Sequence, residues 1–210
     1  MAASNYEITL SRMPREFLKY DQRRMTRFCS REDRMFLYLH LLDRQYRVSR
    51  EDGTIEWTQD EAHWQRAGFL DAMTVYDLLC CAKDDAALCG RFCRAENLPG
   101  TAHGANPAKG MHDGFARDCD KDPAGLTRAC CALGGQPFPA GEISYQLPLF
   151  DFLPVVVQFW ASDEEFPPEF KLMWDEGVLS FLRYETVCYA AGFLISRLQA
   201  HMGLCATEAF

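Results

Sequence analysis

Apolar side chains recur at helical spacing near both ends of the chain, and each repeat predicts a helix. The first helix begins after Ser11 and extends to about residue 29, with a buried stripe of Met13, Phe17, Tyr20 and Phe28. The last helix extends from about Tyr184 to Met202, with a buried stripe of Val187, Ala191, Leu194 and Leu198. The charged residues between these positions then lie on the solvent side of each helix.

The segment after the first helix changes to the alternation of strands. Phe36 to Leu42 is a strand candidate, and Asp52-Gly53 is a turn signal of the kind that closes a β-hairpin. Thr58 is followed three residues later by Glu61, which is the sequence signature of a capping box. This signature predicts a second helix that starts there and extends to about Ala82.

The middle of the chain carries weaker signals. Leu88 to Arg94 is compatible with a short strand, and Thr101 to Gly114 has the composition of a surface loop. Asp122-Pro123 supplies a cap and a first-turn proline, so a helix begins there and ends at Gly134. Its predicted buried stripe consists of Leu126, Ala129, Cys130 and Leu133.

The block from Leu133 to Asp175 has the strongest strand signals. Ile143, Tyr145 and Leu147 alternate with polar residues, and Pro154 to Trp160 is almost continuously apolar, as in a central strand buried on both faces. Helices and hairpins do not alternate regularly along the chain. The fold class is therefore α+β: a single compact domain with an antiparallel or mixed sheet and helices packed mainly on one side.

Length and composition agree with one globular domain. The chain has 210 residues, of which 48% are hydrophobic, and this fraction is sufficient for a core and excludes general disorder. We expect residues 1–35 to form an N-terminal helical segment packed on the domain. Residues 36–202 then form the α+β domain, and residues 203–210 form a C-terminal tail.

Charge and hydropathy limit the partners and the location. The net charge of -8 argues against nucleic acid as a partner. The longest apolar run, near Phe152 to Trp160, is too short to span a bilayer, and MAASNYEITL lacks the features of a secretory signal. We therefore expect a cytoplasmic protein that does not act at membranes. In a reducing compartment its ten cysteines are free thiols.

Five carboxylates are the first candidates for a functional site: Glu142, Asp163, Glu164, Glu165 and Asp175. The three adjacent ones follow a buried strand and repel one another unless a cation, an arginine or backbone donors compensate. If the two strands pair antiparallel, Glu142 lies beside them. Such a group suits a hard divalent cation or a cationic or hydroxylated ligand. In the alternative interpretation, one carboxylate caps the turn and the others are solvated.

Aromatic, thiol and imidazole side chains form two further sets. The candidates to line a pocket beside the carboxylates are Tyr145, Trp160, Phe166 and Trp174. The candidates to bind a metal through sulfur or nitrogen are Cys89, Cys93, His103, His112 and Cys119. Their spacing also fits a structural role, as it does for Cys80 and Cys81, which we expect on different faces of a helix as small buried residues.

Several segments of the second half resemble one known family. Leu133-Gly134-Gly135, Gly141 to Tyr145 and Asp163 to Pro167 match domain-of-unknown-function family 3786, which is found largely in anaerobic bacteria and archaea. The resemblance covers roughly residues 45–202. Where the family usually has glycine and aspartate, this chain has Ser162 and Glu142. Some members carry an additional four-cysteine iron–sulfur module, which is not present here.

The resemblance implies a context and no catalytic residue. That context is anaerobic corrinoid, one-carbon or iron–sulfur metabolism, with a corrinoid or a divalent metal as the cofactor to consider. We expect a non-catalytic ligand-binding or accessory protein whose partner is a small molecule or another protein. Two alternatives remain: a metal-dependent enzyme that uses the five carboxylates, and a scaffold whose acidic face binds a basic partner protein.

Overall fold

The computed structural model describes residues 4–100 and 112–204. Within these ranges lie the helices α1 (Asn5–Phe17), α2 (Gln22–Met25), α3 (Phe69–Cys81), α4 (Asp113–Lys121), α5 (Pro123–Ala132) and α6 (Tyr184–His201). The strands are β1 (Arg31–Glu32), β2 (Phe36–Leu41), β3 (Arg44–Ser49), β4 (Ile55–Thr58), β5 (Gln65–Arg66), β6 (Phe92–Arg94), β7 (Gln136–Pro137), β8 (Ile143–Phe150), β9 (Leu153–Trp160) and β10 (Glu169–Asp175).

The strands form two antiparallel sheets. The first has the order β1-β2-β3-β4-β5, and the second has the order β6-β10-β9-β8-β7. Helix α3 packs against α1 and α6, and α5 packs against α6 and β8. The predicted α+β class is confirmed, with two sheets in place of the single sheet that we expected. No helix within the described ranges has the length and apolar character needed to cross a bilayer.

Strand β9 is the centre of the second sheet, as its apolar sequence predicts. It lies between β8 and β10, and its residues Val155, Val156, Val157 and Phe159 are inaccessible to solvent. Burying a side chain of this size contributes roughly 1.5–3 kcal/mol relative to leaving it exposed. The strand therefore provides a rigid base from which the loop after Trp160 emerges.

The predicted hairpin forms, and its turn also determines where α1 lies. Gly53 adopts a positive φ of 75° between β3 and β4. A Cβ atom at this position would lie 2.5 Å from the carbonyl oxygen of Pro14 in α1. The hydroxyl of Tyr76 in α3 donates a hydrogen bond to the Gly53 carbonyl at 2.6 Å. The bare glycine backbone thus lets α1, α3 and the hairpin meet closely.

The first helix begins earlier and ends earlier than its apolar stripe predicts. Ser4 accepts a hydrogen bond from the Glu7 backbone and Glu7 accepts one from Ser4, so the capping box lies there. Ser11 lies inside the helix and donates to the carbonyl of Ile8. Asp21 caps α2 by accepting a hydrogen bond from Arg23. A second cap inside the apolar pattern therefore divides the predicted helix.

The predicted helix start at Thr58 is wrong. The Asp60 carboxylate accepts hydrogen bonds from the Thr58 hydroxyl and from the backbones of Ala62 and His63, and Glu61 has a φ of 59°. Aspartate competes with helical hydrogen bonding in this way at turns. The helix starts ten residues later, with Gly68 as its cap, and the predicted end near Ala82 is confirmed.

The later helices follow their local signals closely. The Asp122 carboxylate accepts a hydrogen bond from Gly125 at 2.8 Å, and Gly134 has a φ of 76° after the end of α5. The final helix α6 ends one residue before the predicted Met202.

Helix α4 and strand β10 were not predicted, although Phe170, Leu172 and Trp174 alternate in β10 and are buried.

Asp43 joins α6 to the turn after β2. Its carboxylate accepts two hydrogen bonds from the Arg197 guanidinium, at 3.0 and 2.7 Å, and lies 2.9 Å from the His201 imidazole. Gln59 donates a further hydrogen bond to it at 2.9 Å. Although burial opposes ionisation, the hydrogen bonds and charges of Arg197 and His201 lower the pKa of Asp43 to about 2.

The substitution Asp43→Asn is therefore expected to destabilise the fold by about 2 kcal/mol at pH 7. Because the folded pKa lies below the unfolded one, this contribution is present above about pH 4 and declines as the pH falls towards 2. Urea denaturation of both proteins at pH 7 and pH 3 measures it, and the difference should be about half as large at pH 3. A difference independent of pH would contradict this explanation.

Candidate functional site

Asp163 organises the loop that joins β9 to β10. One of its carboxylate oxygens accepts hydrogen bonds from the backbones of Glu165 at 2.8 Å and Phe166 at 2.7 Å. Its own backbone N–H donates to the carbonyl of Phe166 at 3.0 Å. The side chains of Glu164 and Glu165 are exposed and form no ion pair with the described residues. Asp163 thus caps the turn, in agreement with the structural interpretation of the triplet.

Two further carboxylates support the base of this loop. Glu142 accepts a hydrogen bond from the Ala161 backbone at 3.1 Å. Strands β8 and β9 pair antiparallel, with Ile143 opposite Phe159, which is the condition under which we expected Glu142 beside the loop. Asp120 in α4 accepts hydrogen bonds from the backbone and hydroxyl of Ser162, at 2.9 and 2.7 Å. The loop is therefore well supported at its base, and Phe166 is 65% exposed at its tip.

Asp175 lies at the other end of β10, about 20 Å along the strand from Glu169. It is 1% exposed, and it accepts hydrogen bonds from the backbones of Cys89, Gly90 and Gly177 at 2.7–2.8 Å. The five candidate carboxylates therefore do not meet at one point. In the part of the chain that the structure describes, no three His, Cys, Asp or Glu side chains are placed to share a metal ion.

The four aromatic candidates lie in separate environments. Trp174 is a core residue, and Phe166 is exposed. The Trp160 ring lies beneath the Lys171 ammonium, at 4.3 Å from its centroid. A hydrogen bond with the Cys131 thiol raises the pKa of Tyr145. That these residues line a pocket beside the carboxylates stays a prediction.

The thiol and imidazole candidates are also dispersed. Cys119 is buried in α4, and this burial raises the pKa of its thiol to about 12. Cys93 pairs with Trp174 across the second sheet, whereas Cys89 is exposed. Burial lowers the pKa of His112, whose ring lies 6.0 Å from that of Phe170. His103 lies outside the described residues, and metal binding by this set stays a prediction.

A groove of about 650 Å³ lies elsewhere, between α1, α3 and the first turns of α6. Helices α1 and α3 run side by side in the same direction, since Tyr6 contacts Phe69 and Phe17 contacts Tyr76. The α1 side contributes Tyr6, Thr9, Met13, Glu16 and Tyr20. The α3 side contributes Phe69, Met73, Tyr76, Asp77, Cys80 and Cys81, and the α6 side contributes Arg183, Glu185, Thr186 and Tyr189.

One end of the groove is aromatic. The rings of Tyr6 and Phe69 meet edge to face with centroids 4.8 Å apart, and Phe69 meets Tyr189 in the same way at 5.1 Å. The hydroxyl of Tyr189 donates a hydrogen bond to the Glu185 carboxylate, one turn earlier in α6. Burial and this bond raise the pKa of Tyr189. The rings and the carboxylate therefore form one wall.

The other end carries two thiols and a guanidinium. Arg183 donates a hydrogen bond to the Cys81 sulfur at 2.8 Å, and its backbone N–H donates to the Asp77 carboxylate at 2.7 Å. Burial raises the pKa of Cys80 to about 12 and that of Cys81 to about 11, so both thiols are protonated at neutral pH. Cys80 and Cys81, which we expected on different faces of a helix, both border the groove.

The sequence interpretation missed this groove, although part of its signal is local. Tyr6, Thr9, Met13 and Glu16 recur at intervals of three or four residues, which is the period of one helix face. Recognition of the Ser4–Glu7 capping box would have placed that face on a helix. The contacts with α3 and α6 have no local signal, since they join residues far apart in the chain.

Asp175 and Asp163 each accept several backbone hydrogen bonds. Asp175 does so inside the protein, whereas Asp163 does so at the surface. Asp175→Ala is expected to reduce the free energy of unfolding by about 3 kcal/mol, because it removes a buried carboxylate that accepts three backbone hydrogen bonds. Asp163→Ala is the matched control. Its free energy of unfolding should fall much less, since water replaces the carboxylate there. Urea denaturation measures both, and equal losses would contradict the structural role of Asp175.

Comparison with known proteins gives one match. No curated protein and no solved structure matches the sequence. One family model matches residues 18–197, which include every described strand, helices α2 to α5 and most of α6. This match confirms the resemblance found in the motifs around Gly134, Gly141 and Asp163. The chain therefore belongs to the family described as Domain of unknown function (DUF3786).

Proposed function

We propose that this protein is a non-catalytic accessory protein that binds a small molecule along the groove between α1, α3 and α6. The observation that carries the proposal is the groove itself. Its volume of about 650 Å³ lies within the roughly 300–1,000 Å³ that is typical of ligand sites. It also combines aromatic walls with a few polar groups at defined positions, which is the usual composition of such sites.

The shape of the groove favours an elongated ligand. Its α3 side extends from Phe69 to Cys81, which is about 18 Å along the helix axis. Aromatic rings lie at the start of this stretch, and the Arg183 guanidinium and two thiols lie at its end. A ligand that contacts both ends presents an apolar body to the rings and hydrogen-bond acceptors to Arg183.

The state of the thiols supports binding in preference to thiol chemistry. The thiolate is the nucleophilic form of cysteine, and a catalytic cysteine usually has a lowered pKa. Burial has the opposite effect on Cys80 and Cys81, whose pKa values rise to about 12 and 11. They act here as polarisable, uncharged parts of the lining, which suit contact with an apolar ligand.

The metabolic context is part of the proposal and rests on the family resemblance. Members of the family are linked to anaerobic corrinoid, one-carbon or iron–sulfur metabolism, so a corrinoid or a fragment of one is a candidate ligand. Helix α1 precedes the residues that the family model matches. The groove is therefore proposed for this chain and not for every member of the family.

Occupation of the groove is expected to slow alkylation of Cys80 and Cys81. Cobinamide and a panel of elongated metabolites would be screened by thermal shift, and each hit tested by mass spectrometry of iodoacetamide-treated protein under anaerobic conditions. Cys89 and Cys131 are exposed outside the groove, so their alkylation should not change. At a ligand concentration near 10 times Kd, the alkylation rate of Cys80 and Cys81 should fall at least about tenfold.

A pair of variants on one helix provides the control. Thr9→Trp fills the groove, whereas Ile8→Trp changes an exposed neighbour that does not line it. The first substitution should abolish both the thermal shift and the thiol protection, and the second should leave them intact. Binding that persists in Thr9→Trp, or hits that never protect Cys80 and Cys81, would overturn the proposed site.

A second candidate function is partner docking through the loop between β9 and β10. The observation that favours it is Phe166, a large apolar side chain that is 65% exposed between exposed carboxylates. Hydrogen bonds from Ala161 and Ser162 to Glu142 and Asp120 hold the loop in one conformation before any partner binds. The partner that fits is a protein with an apolar pocket surrounded by basic residues.

Phe166→Ala is expected to weaken such a complex at least about tenfold, because an aromatic side chain is the usual centre of a binding hot spot. The partner would be captured from cell extract, purified and re-bound, with affinity measured by calorimetry at low and high salt. Leu88→Ala, at another exposed apolar position, is the control. Unchanged affinity of the Phe166→Ala variant in the purified complex would exclude this loop as the docking site.

A further inference from the structure

We propose that the groove selects an organic cation, with the positive charge at the aromatic end beside Glu185. This inference rests on the proposed function, and it adds the chemical class of the ligand. The juxtaposition that carries it is a carboxylate attached to a wall of three aromatic rings. Carboxylates and aromatic faces both attract cations, and they do so together in sites for alkylated ammonium groups.

The aromatic end of the groove consists of three rings. Tyr6, Phe69 and Tyr189 meet edge to face, with interplanar angles of 72° and 76°. Each of these contacts uses the edge of one ring and the face of the other, and all three residues line the groove. The negative face of an aromatic ring attracts a cation within about 6 Å of its centroid.

Glu185 supplies the formal charge at this end. Its carboxylate accepts one hydrogen bond, from the Tyr189 hydroxyl, and it forms no ion pair with the described residues. That hydrogen bond fixes the carboxylate against the ring wall and leaves its second oxygen for a ligand. Glu185 lies in the first turn of α6, where the helix dipole favours negative charge.

The remaining charges of the lining do not favour an anion. Arg183 is the cationic side chain among the lining residues that the structure describes. Its guanidinium pairs with the buried Asp77 carboxylate, at 3.4 Å, and donates to the Cys81 sulfur. An anionic ligand at Arg183 would have to compete with Asp77. Glu16 adds a further carboxylate to the lining, paired with Lys19 at the surface.

A matched series of probes tests the charge directly. Choline carries a trimethylammonium group, whereas its neutral isostere 3,3-dimethylbutan-1-ol and the anion 3,3-dimethylbutanoate carry a tert-butyl group of the same shape. Binding would be followed by amide chemical-shift titration of the full-length protein, which measures weak affinities. Choline should bind about tenfold more tightly than the alcohol and shift signals of Tyr6, Phe69 and Glu185. Salt should weaken the binding of choline and not that of the alcohol.

Substitutions at Glu185 and Tyr189 test whether the aromatic wall causes the preference for choline. Glu185→Gln and Tyr189→Leu should each reduce choline affinity about three- to tenfold with little change for the alcohol. Glu164→Gln removes an exposed carboxylate outside the groove and should have no effect. The thermal midpoint of each variant, measured in parallel, shows whether the protein remains folded.

The outcomes separate this inference from the proposed function. If the alcohol or the acid binds in the groove as tightly as choline, the groove is a ligand site and the cation selectivity is wrong. If none of the three probes shifts groove signals, the cation selectivity is also wrong. In that case the metabolite panel and the Thr9→Trp variant still decide whether the groove binds another ligand.

Discussion

The junction between α3 and α6 depends on one buried carboxylate. Asp77 is 5% exposed, and it accepts a hydrogen bond from the backbone N–H of Arg183 at the start of α6. A carboxylate taken out of water needs such donors, since an unpaired buried charge is strongly destabilising. The same contact sets the position of Glu185 and Tyr189 opposite α1. This hydrogen bond therefore holds the start of α6 against α3, and these two helices border the groove together with α1.

The protein uses the same principle at other junctions. Asp43 joins α6 to the β2–β3 turn through Arg197, and Asp175 joins the end of β10 to the backbone at Cys89 and Gly90. Asp71 in α3 accepts a hydrogen bond from the Tyr46 hydroxyl at 2.8 Å. The carboxylates with the best-defined surroundings in this acidic protein are thus parts of its framework. Their partners are backbone, guanidinium, hydroxyl, amide and imidazole groups of the protein itself.

The acidic loop after β9 contains carboxylates that stabilise the fold and carboxylates that have no structural partner among the described residues. Asp163 shapes the turn, and Glu142 and Asp120 support its base, so these three are explained by folding. Glu164 and Glu165 have no such role and remain exposed beside Phe166. Fewer side chains of the loop therefore lack a structural role than its sequence suggests. It consists of two charges and one aromatic ring on a preformed support.

The sequence by itself determined the features whose causes are local. Asp52-Gly53 specifies the hairpin, Asp122-Pro123 and Gly134 delimit α5, and the apolar run to Trp160 specifies a central strand. The family motifs are equally local. Local signals failed where two of them compete, as at Asp60. Its carboxylate accepts hydrogen bonds from the N–H groups of Ala62 and His63, which lie where a helix from Thr58 would begin.

Only the tertiary structure decided which side chains meet. Tyr6, Phe69 and Tyr189 are separated by more than 60 and more than 100 residues in the chain, yet their rings form one wall. Asp175 is only ten residues from Glu165, yet a strand of about 20 Å separates it from the loop. Periodicity shows which face of an element is buried, but it carries no information about which distant element covers that face. The groove is a product of that packing, so it became visible only in the folded chain.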